Sequence, residues 1–353
     1  MPKKPNRIIS KETFKPYKAQ VTRNGAVLLG DSVACDSFDD SRPLRVVTHA
    51  HADHLMGLRK SLKNCQKVLM TAATRDLTQT INDQFNLNCD SVETLEYNKT
   101  LQFGEEKITL HKADHILGAS QVLVEDACGI RIAYSGDFKL DKTPVVECDV
   151  LVVDSTYGTP QCRRHFDVDV KELLVSMIEQ RLRGGSVYVF GYHGKLQEVM
   201  QILTDADVSV PFVMPERVYN VSKVCEKHGM RLGCLTNSNN KEGHELLDGN
   251  LPCVAFYHMN SRQHVGLRNA RICVSGWEFH KPCRQIGDRE YLVAFSDHCD
   301  FDGVIEYVKQ TRAKQVITDN YRGGNGGVLA DELHRHLGIS AMAMPKLSGQ
   351  STL

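Results

Sequence analysis

Two rhythms of apolar residues alternate along the chain. Up to about residue 160, short apolar runs separated by turn residues fall at 26–29, 45–48, 68–70, 108–110, 121–124, 131–134 and 150–153. Runs of this length predict strands of a layered α/β domain. The rhythm then changes. Val170, Leu173, Leu174, Met177, Ile178 and Leu182 recur at helical spacing behind a candidate cap at Asp167 or Asp169, and Gly184-Gly185 closes the helix. A strand over 186–190, a Gly-Tyr-His-Gly-Lys turn and a helix over about 196–203 form a strand-helix unit suited to a small parallel sheet. Further strands are predicted at 211–214, 254–257 and 272–275. From Tyr291 to Phe295 onward the first rhythm returns, with a helix near 302–311, a strand at 315–318 and a helix near 328–337. The pattern predicts an α/β domain over 1–160, a smaller inserted α/β domain over 161–285, and a return to the first domain over 286–353.

Composition narrows this picture without redrawing it. A chain of 353 residues with 41% hydrophobic content can bury a core for one large or two ordinary domains. No apolar stretch reaches the length of a membrane span, and Met1-Pro2-Lys3-Lys4-Pro5 has no apolar segment behind its charges to act as a signal peptide. The expectation is a soluble cytoplasmic protein without a membrane partner, nucleoid-associated or, in a eukaryote, nuclear. Twelve cysteines with no Cys-x-x-Cys pair argue against a zinc ribbon or a dithiol redox motif, and are expected to be reduced and mostly buried. The 43 basic and 43 acidic residues cancel, so any affinity for nucleic acid must come from local charge. The first 23 residues are basic, with Lys3, Lys4, Arg7, Lys11, Lys15, Lys18 and Arg23 against Glu12; a solvated arm is favoured over a phosphate-contacting one.

Candidate chemistry begins at His49-Ala50-His51-Ala52-Asp53-His54, between the apolar run 44–47 and a helix start at 55–58. Four ligand side chains on a strand-to-helix turn suit zinc or a neighbouring transition metal, and two such ions can activate a water and stabilise a leaving oxygen. A polar loop that happens to be rich in His is the blander alternative, and three His with an Asp at this spacing disfavour it. Two further residues stand at strand ends. His115 follows the run 108–111, and Asp137 follows 131–134 through Gly136, which would let the carboxylate approach an ion closely. A carboxylate between two ions is the usual bridge.

Taken together, Thr48 to His54, His115-Ile116-Leu117-Gly118 and Ser135-Gly136-Asp137 resemble the metal-binding motifs of the metallo-β-lactamase fold. Asp154-Ser155-Thr156-Tyr157-Gly158 and Phe295-Ser296-Asp297-His298 resemble the added motifs of its β-CASP nuclease branch, in order over about residues 25–320. Ser275-Gly276-Trp277 and Ser296 to Phe301 resemble those of the ligase-associated bacterial DNA exonucleases and their archaeal relatives. The resemblance implies an αββα sandwich with two zinc ions at one edge and the smaller domain closing over it. It implies that His49, His51 and His115 hold one zinc, that Asp53 and His54 hold the other, and that Asp137 bridges. It places Asp154 behind the metals, His298 as a proton donor or phosphate contact, and Asp36 as a brace.

One departure bears on the substrate. RNA-cleaving members of that branch carry a His at the strand end after His298, whereas here the strand 316–318 runs into Asp319-Asn320-Tyr321. Artemis-type DNA nucleases also lack that His, which favours DNA. Asp319 is a candidate replacement ligand; otherwise the second metal is weakly held, or is manganese. The turn at Gly194 and Lys195 resembles the branch's substrate-binding turn and could offer a helix N-terminus and an ammonium to phosphate, although a solvated Lys195 is the commoner outcome. Arg163, Arg164 and His165 form a second basic cluster, Tyr157 is a stacking or core aromatic, and the glycine-rich 323–327 segment reads as a surface turn. The expected activity is a zinc-dependent nuclease, a DNA exonuclease in repair or end processing, with Asp53, Asp154 and His298 at the chemistry. The alternatives are an RNA-processing nuclease and a non-catalytic nucleic-acid-binding scaffold.

Overall fold

Three sheets carry the chain. The computed structural model describes residues 18–323 and 325–346; the basic arm from Lys3 to Lys15 and Gly324 lie outside the described residues. In the first sheet the strands run in sequence order: Ala19–Val21, Val27–Leu29, Val33–Cys35, Leu44–Val46, Lys67–Met70 and Val92–Thr94. The second has the order Ser340–Met344, Gln315–Asp319, Val150–Val153, Arg131–Tyr134, Ser120–Glu125, Glu106–Lys112 and Thr100–Phe103. Central strands such as Val27–Leu29 and Val150–Val153 are buried on both faces, so their sequences read as unbroken apolar runs.

Period-two alternation decides what each strand packs against. Ile132, Val150 and Val152 meet Val27, Leu29, Val33 and Leu44 in the core between the two sheets. Ala133, Leu151 and Val153 point the other way, onto the helices Phe301–Thr311 and Gly326–Leu337 through Val304, Tyr307, Leu329 and Leu333. On the outside of the first sheet, Val68 and Met70 pack with Leu55 and Leu58 of the segment that follows the His-rich string. The expected αββα sandwich is therefore borne out.

The third sheet is the insert, ordered Leu235–Asn237, Phe212–Met214, Val254–His258, Val187–Gly191, Ala270–Ser275, Glu290–Ala294 and Cys283–Gly287. Its helix Val170–Leu182 is capped by Asp169, whose carboxylate accepts from the backbone of Lys171 and Glu172. The sheets do not divide at residue 285. Cys283–Gly287 and Glu290–Ala294 both hydrogen-bond within the third sheet, so the chain leaves it only after Ala294. The run 291–295 reads like the first domain's strands because it is equally apolar; only pairing reveals its sheet. All twelve cysteines are unpaired and seven are buried. Among the described residues, no helix is long and apolar enough to cross a membrane.

Candidate metal centre

Strand direction gathers the candidate residues at one edge. Arg131–Tyr134, Val150–Val153 and Gln315–Asp319 are mutually parallel, and Glu106–Lys112 shares their direction through its antiparallel neighbour Ser120–Glu125. Their C-terminal ends therefore deliver His115, Asp137, Asp154 and Asp319 to the same rim, while Leu44–Val46 of the facing sheet delivers His49. Gly136 is needed at this exit: its φ is +56°, and a Cβ there would stand 2.8 Å from the Ser120 carbonyl oxygen.

His49, His51, His115 and Asp137 bring one donor atom each to within 4.8 Å of one another. His51 Nδ1 lies 3.2 Å from His49 Nε2 and 3.0 Å from His115 Nε2, and Asp137 Oδ2 lies 3.6 Å from His49 Nε2. The outer nitrogens are all engaged. His51 Nε2 donates to the His193 carbonyl at 3.1 Å, His115 Nδ1 donates to the Asp297 carbonyl at 2.8 Å, and His49 Nδ1 is 3.1 Å from Thr48 Oγ1. With the protons assigned to those outer positions, three lone pairs converge beside a carboxylate. Lone pairs at this separation repel unless a cation lies among them, so the donor set fits a divalent metal. Burial holds all three imidazoles below their ordinary pKa, His115 at about 3, and keeps them neutral donors.

The other half of the string is built differently. His54 Nδ1 donates to Asp36 Oδ2 at 2.8 Å, and its buried Nε2 has no hydrogen-bond partner, facing Asp137 Oδ2 at 3.2 Å and Asp53 Oδ2 at 3.3 Å. A buried ring nitrogen without a hydrogen bond, flanked by two carboxylates, is a second place where a cation fits. Asp36 also accepts from the Thr48 backbone and hydroxyl, both at 2.8 Å, with φ at +62°. Below it, the fully buried Arg45 holds the His54 carbonyl at 2.9 Å and the Met56 carbonyl at 3.3 Å; burial lowers its pKa to about 10. Asp53 is the outlier, its side chain 59% exposed.

His298 and Asp154 stand beside Asp137. His298 Nδ1 is 2.9 Å from Asp154 Oδ2, and Nε2 is 3.9 Å from Asp137 Oδ2. Burial would lower the His298 pKa, but Asp137 and Asp154 raise it to about 9. Both carboxylates favour the protonated imidazole, and the ring is placed to give a proton. Asp154 is fixed by Thr156, whose backbone and hydroxyl donate to Oδ1 at 2.8 and 2.7 Å.

Three expected features take other roles. Lys195 is neither solvated nor open to phosphate: its side chain is buried and its ammonium pairs with Asp297 Oδ1 at 3.0 Å. The Gly194 N–H is likewise occupied, donating to Gln197 Oε1 at 2.8 Å, because the turn packs against Ile116 and the His51 anchor. Asp319 does not join the cluster either. It pairs with Arg322 at 2.8 Å and accepts from the Tyr321 backbone at 2.9 Å, filling the rim where a last ligand was sought. Roles the motifs did not reveal are those of the His193 and Asp297 backbone carbonyls and of Arg45 and Arg322. A carbonyl has no signature in sequence; Asp297 at least adjoins His298.

Fold and donor set together are of the kind that metal-dependent hydrolases use. A model of the Beta-lactamase superfamily domain matches residues 39–190. A protein of Acidianus ambivalens named "Uncharacterized protein in lig 3'region" is 38% identical over 138 residues, which cover 38% of this chain and 99% of that protein. A probable DNA ligase of Opitutus terrae is 24% identical over 284 residues, 77% of this chain and 26% of the relative. Endoribonuclease YSH1 of Kluyveromyces lactis is 26% identical over 211 residues, 48% of this chain and 27% of the relative. The chain thus spans about a quarter of the length of the last two. A crystal structure of an Enterococcus faecalis protein of unknown function shares the fold, with a TM-score of 0.62 and 12% identity over 94% of this chain and 97% of that one. The chain belongs to the metallo-β-lactamase superfamily, and its inserted third sheet and named relatives are consistent with the β-CASP nuclease branch.

Proposed function

We propose that this chain is a two-metal phosphodiesterase acting on polynucleotides, with DNA as its substrate and strand ends as its targets. The observation that carries the reading is the double donor set: three converging imidazole lone pairs beside Asp137, and His54 Nε2, without a hydrogen bond, between the Asp137 and Asp53 carboxylates. His49, His51 and His115 would hold the first ion, Asp53 and His54 the second, with Asp137 reaching both. Zinc suits the imidazole-rich first position, and manganese is an alternative at the more carboxylate-rich second. Two ions, when bound, would activate water and neutralise charge on the phosphate.

The chain's own residues supply the rest. His298, protonated and oriented by Asp154, would give a proton to the leaving oxygen. Lys195 and Asp297 act in the reading as positioning residues, because Asp297 carries the carbonyl that aims His115 and Lys195 neutralises its carboxylate. A preference for DNA is supported by the probable DNA ligase among the relatives and by the Asp319–Arg322 pair where a His would stand. RNA cleavage is the second reading, favoured by the relative named as an endoribonuclease. Labelled single- and double-stranded DNA and RNA, offered side by side with zinc or manganese, test both. Cleavage of DNA ends with loss in His298→Ala is expected; RNA-only cleavage would overturn the DNA reading, and no cleavage of any strand would overturn the activity.

A further inference from the structure

Trp277 is the most exposed large apolar side chain among the described residues, at 63%. Its exposure is not the result of a loose loop. The Trp277 N–H is held by Ser275 Oγ at 3.2 Å, and the buried Glu278 carboxylate accepts from the backbones of His280 and Lys281 at 2.9 and 3.3 Å and from Arg284 Nε at 3.0 Å. The loop also needs its glycine, since a Cβ on Gly276 would stand 2.1 Å from the Tyr157 hydroxyl. Tyr157 itself is buried, so of its two expected roles it takes the core one and supports the loop. Its ring is edge-on to Trp277 at 5.0 Å and to His298 at 5.7 Å, so two ring contacts lead from the exposed indole to the reacting edge.

A cation completes the surface. The Arg164 guanidinium lies 4.7 Å from the Tyr157 ring and 4.5 Å from the Phe279 ring, donates to the Gly276 carbonyl, and forms no ion pair among the described residues. The molecule's large cleft, about 1330 Å³ between the sandwich and the insert, offers a polyanion the opposite. Six carboxylates, among them Glu96, Asp114 and Glu179, line it against Lys112, Lys142 and Lys171. A flat π face beside an unpaired guanidinium suits a base and its phosphate.

We propose that Trp277, supported by Tyr157 and flanked by Arg164, is the stacking platform for the base next to the scissile phosphate, which makes unpaired strands the substrate class. A base inside a duplex is already stacked and cannot lie on it. This inference rests on the polynucleotide reading above. Trp277 is the chain's one tryptophan, so its emission reports on this loop alone. The test titrates the metal-loaded full chain with a hydrolysis-resistant phosphorothioate oligothymidylate and with an abasic oligomer of the same length. Strong quenching by the first and little by the second is expected. Trp277→Leu should raise KM for single-stranded DNA about 10-fold with kcat little changed, and Trp277→Phe should recover most of it. Metal content by mass spectrometry and the thermal midpoint should be the same in all three proteins. Equal quenching by the abasic strand, or an unchanged KM in Trp277→Leu, overturns the platform while leaving the phosphodiesterase intact. A wild-type chain that binds no oligonucleotide overturns both.

Discussion

The two halves of the metal centre are built to different standards. Around His49, His51 and His115, two rings are buried, the His51 ring is half-buried, and each outer nitrogen is engaged. Around Asp53 and His54, one ligand is braced by Asp36 while the other is 59% exposed, and the next acidic group on the rim is committed to Arg322. The difference teaches that preorganisation, not ligand count, separates the two positions. A ring fixed by a second bond loses little freedom on meeting a cation, whereas an exposed carboxylate must be ordered first.

This asymmetry can be broken by experiment. The largest effect is expected for Asp137→Ala, which removes the group common to both halves: activity should fall by about 10³-fold or more, and mass spectrometry of the purified protein should show loss of both metal equivalents. Retention of full metal content and activity would end the two-metal reading. Next comes His298→Ala, with a loss of about 10²- to 10³-fold in kcat at unchanged metal content. Because the His298 pKa is raised to about 9, the proton-donating form is present below that value and lost as pH rises through it. Asp154→Asn removes one of the two carboxylates that raise it, so the alkaline limb of the rate profile should move to lower pH; a stationary limb would remove His298 from the acid role.

Smaller effects sharpen the contrast between the halves. Asp53→Ala should lose one metal equivalent and keep the other, with about 10- to 100-fold weaker binding at the second position, measured by competition with a chromogenic chelator. Equal loss of both would mean that the halves are not independent. Asp319→Asn should leave metal stoichiometry unchanged, because Asp319 serves Arg322. Its cost should appear as a lower thermal midpoint, since removing one member of a buried pair leaves the other uncompensated by about 3 kcal/mol.

Much of this was legible in the chain. The runs at 131–134 and 150–153 predict the strands Arg131–Tyr134 and Val150–Val153 to the residue; Asp149 and Asp154 bracket the second, and Gly129 and Ser135-Gly136 lie at or near the ends of the first. His49, His51, His115 and Asp137 were named from spacing and resemblance, and the fold brings them together. What escaped falls into two physical kinds. Helices Ala72–Ile81 and Glu216–Lys227 have short apolar stripes, such as Val218, Val221 and Cys225, among many polar residues; the second buries its stripe in the core, and the two helices also pack against each other. The fate of Lys195, Asp319 and Tyr157 depends on partners distant in sequence, and a motif states a residue's type without stating what neutralises or covers it.

The two carbonyls that aim His51 and His115 come from residues 142 and 182 positions further along the chain. All four donors of the first position have been synthesised by residue 137, yet two of their rings gain a fixed direction only when the insert and the returning segment have closed over them. A growing chain on the ribosome therefore carries the ligands well before it carries the centre. Preorganisation of the first position therefore depends on the insert and the returning segment as much as on the ligands themselves.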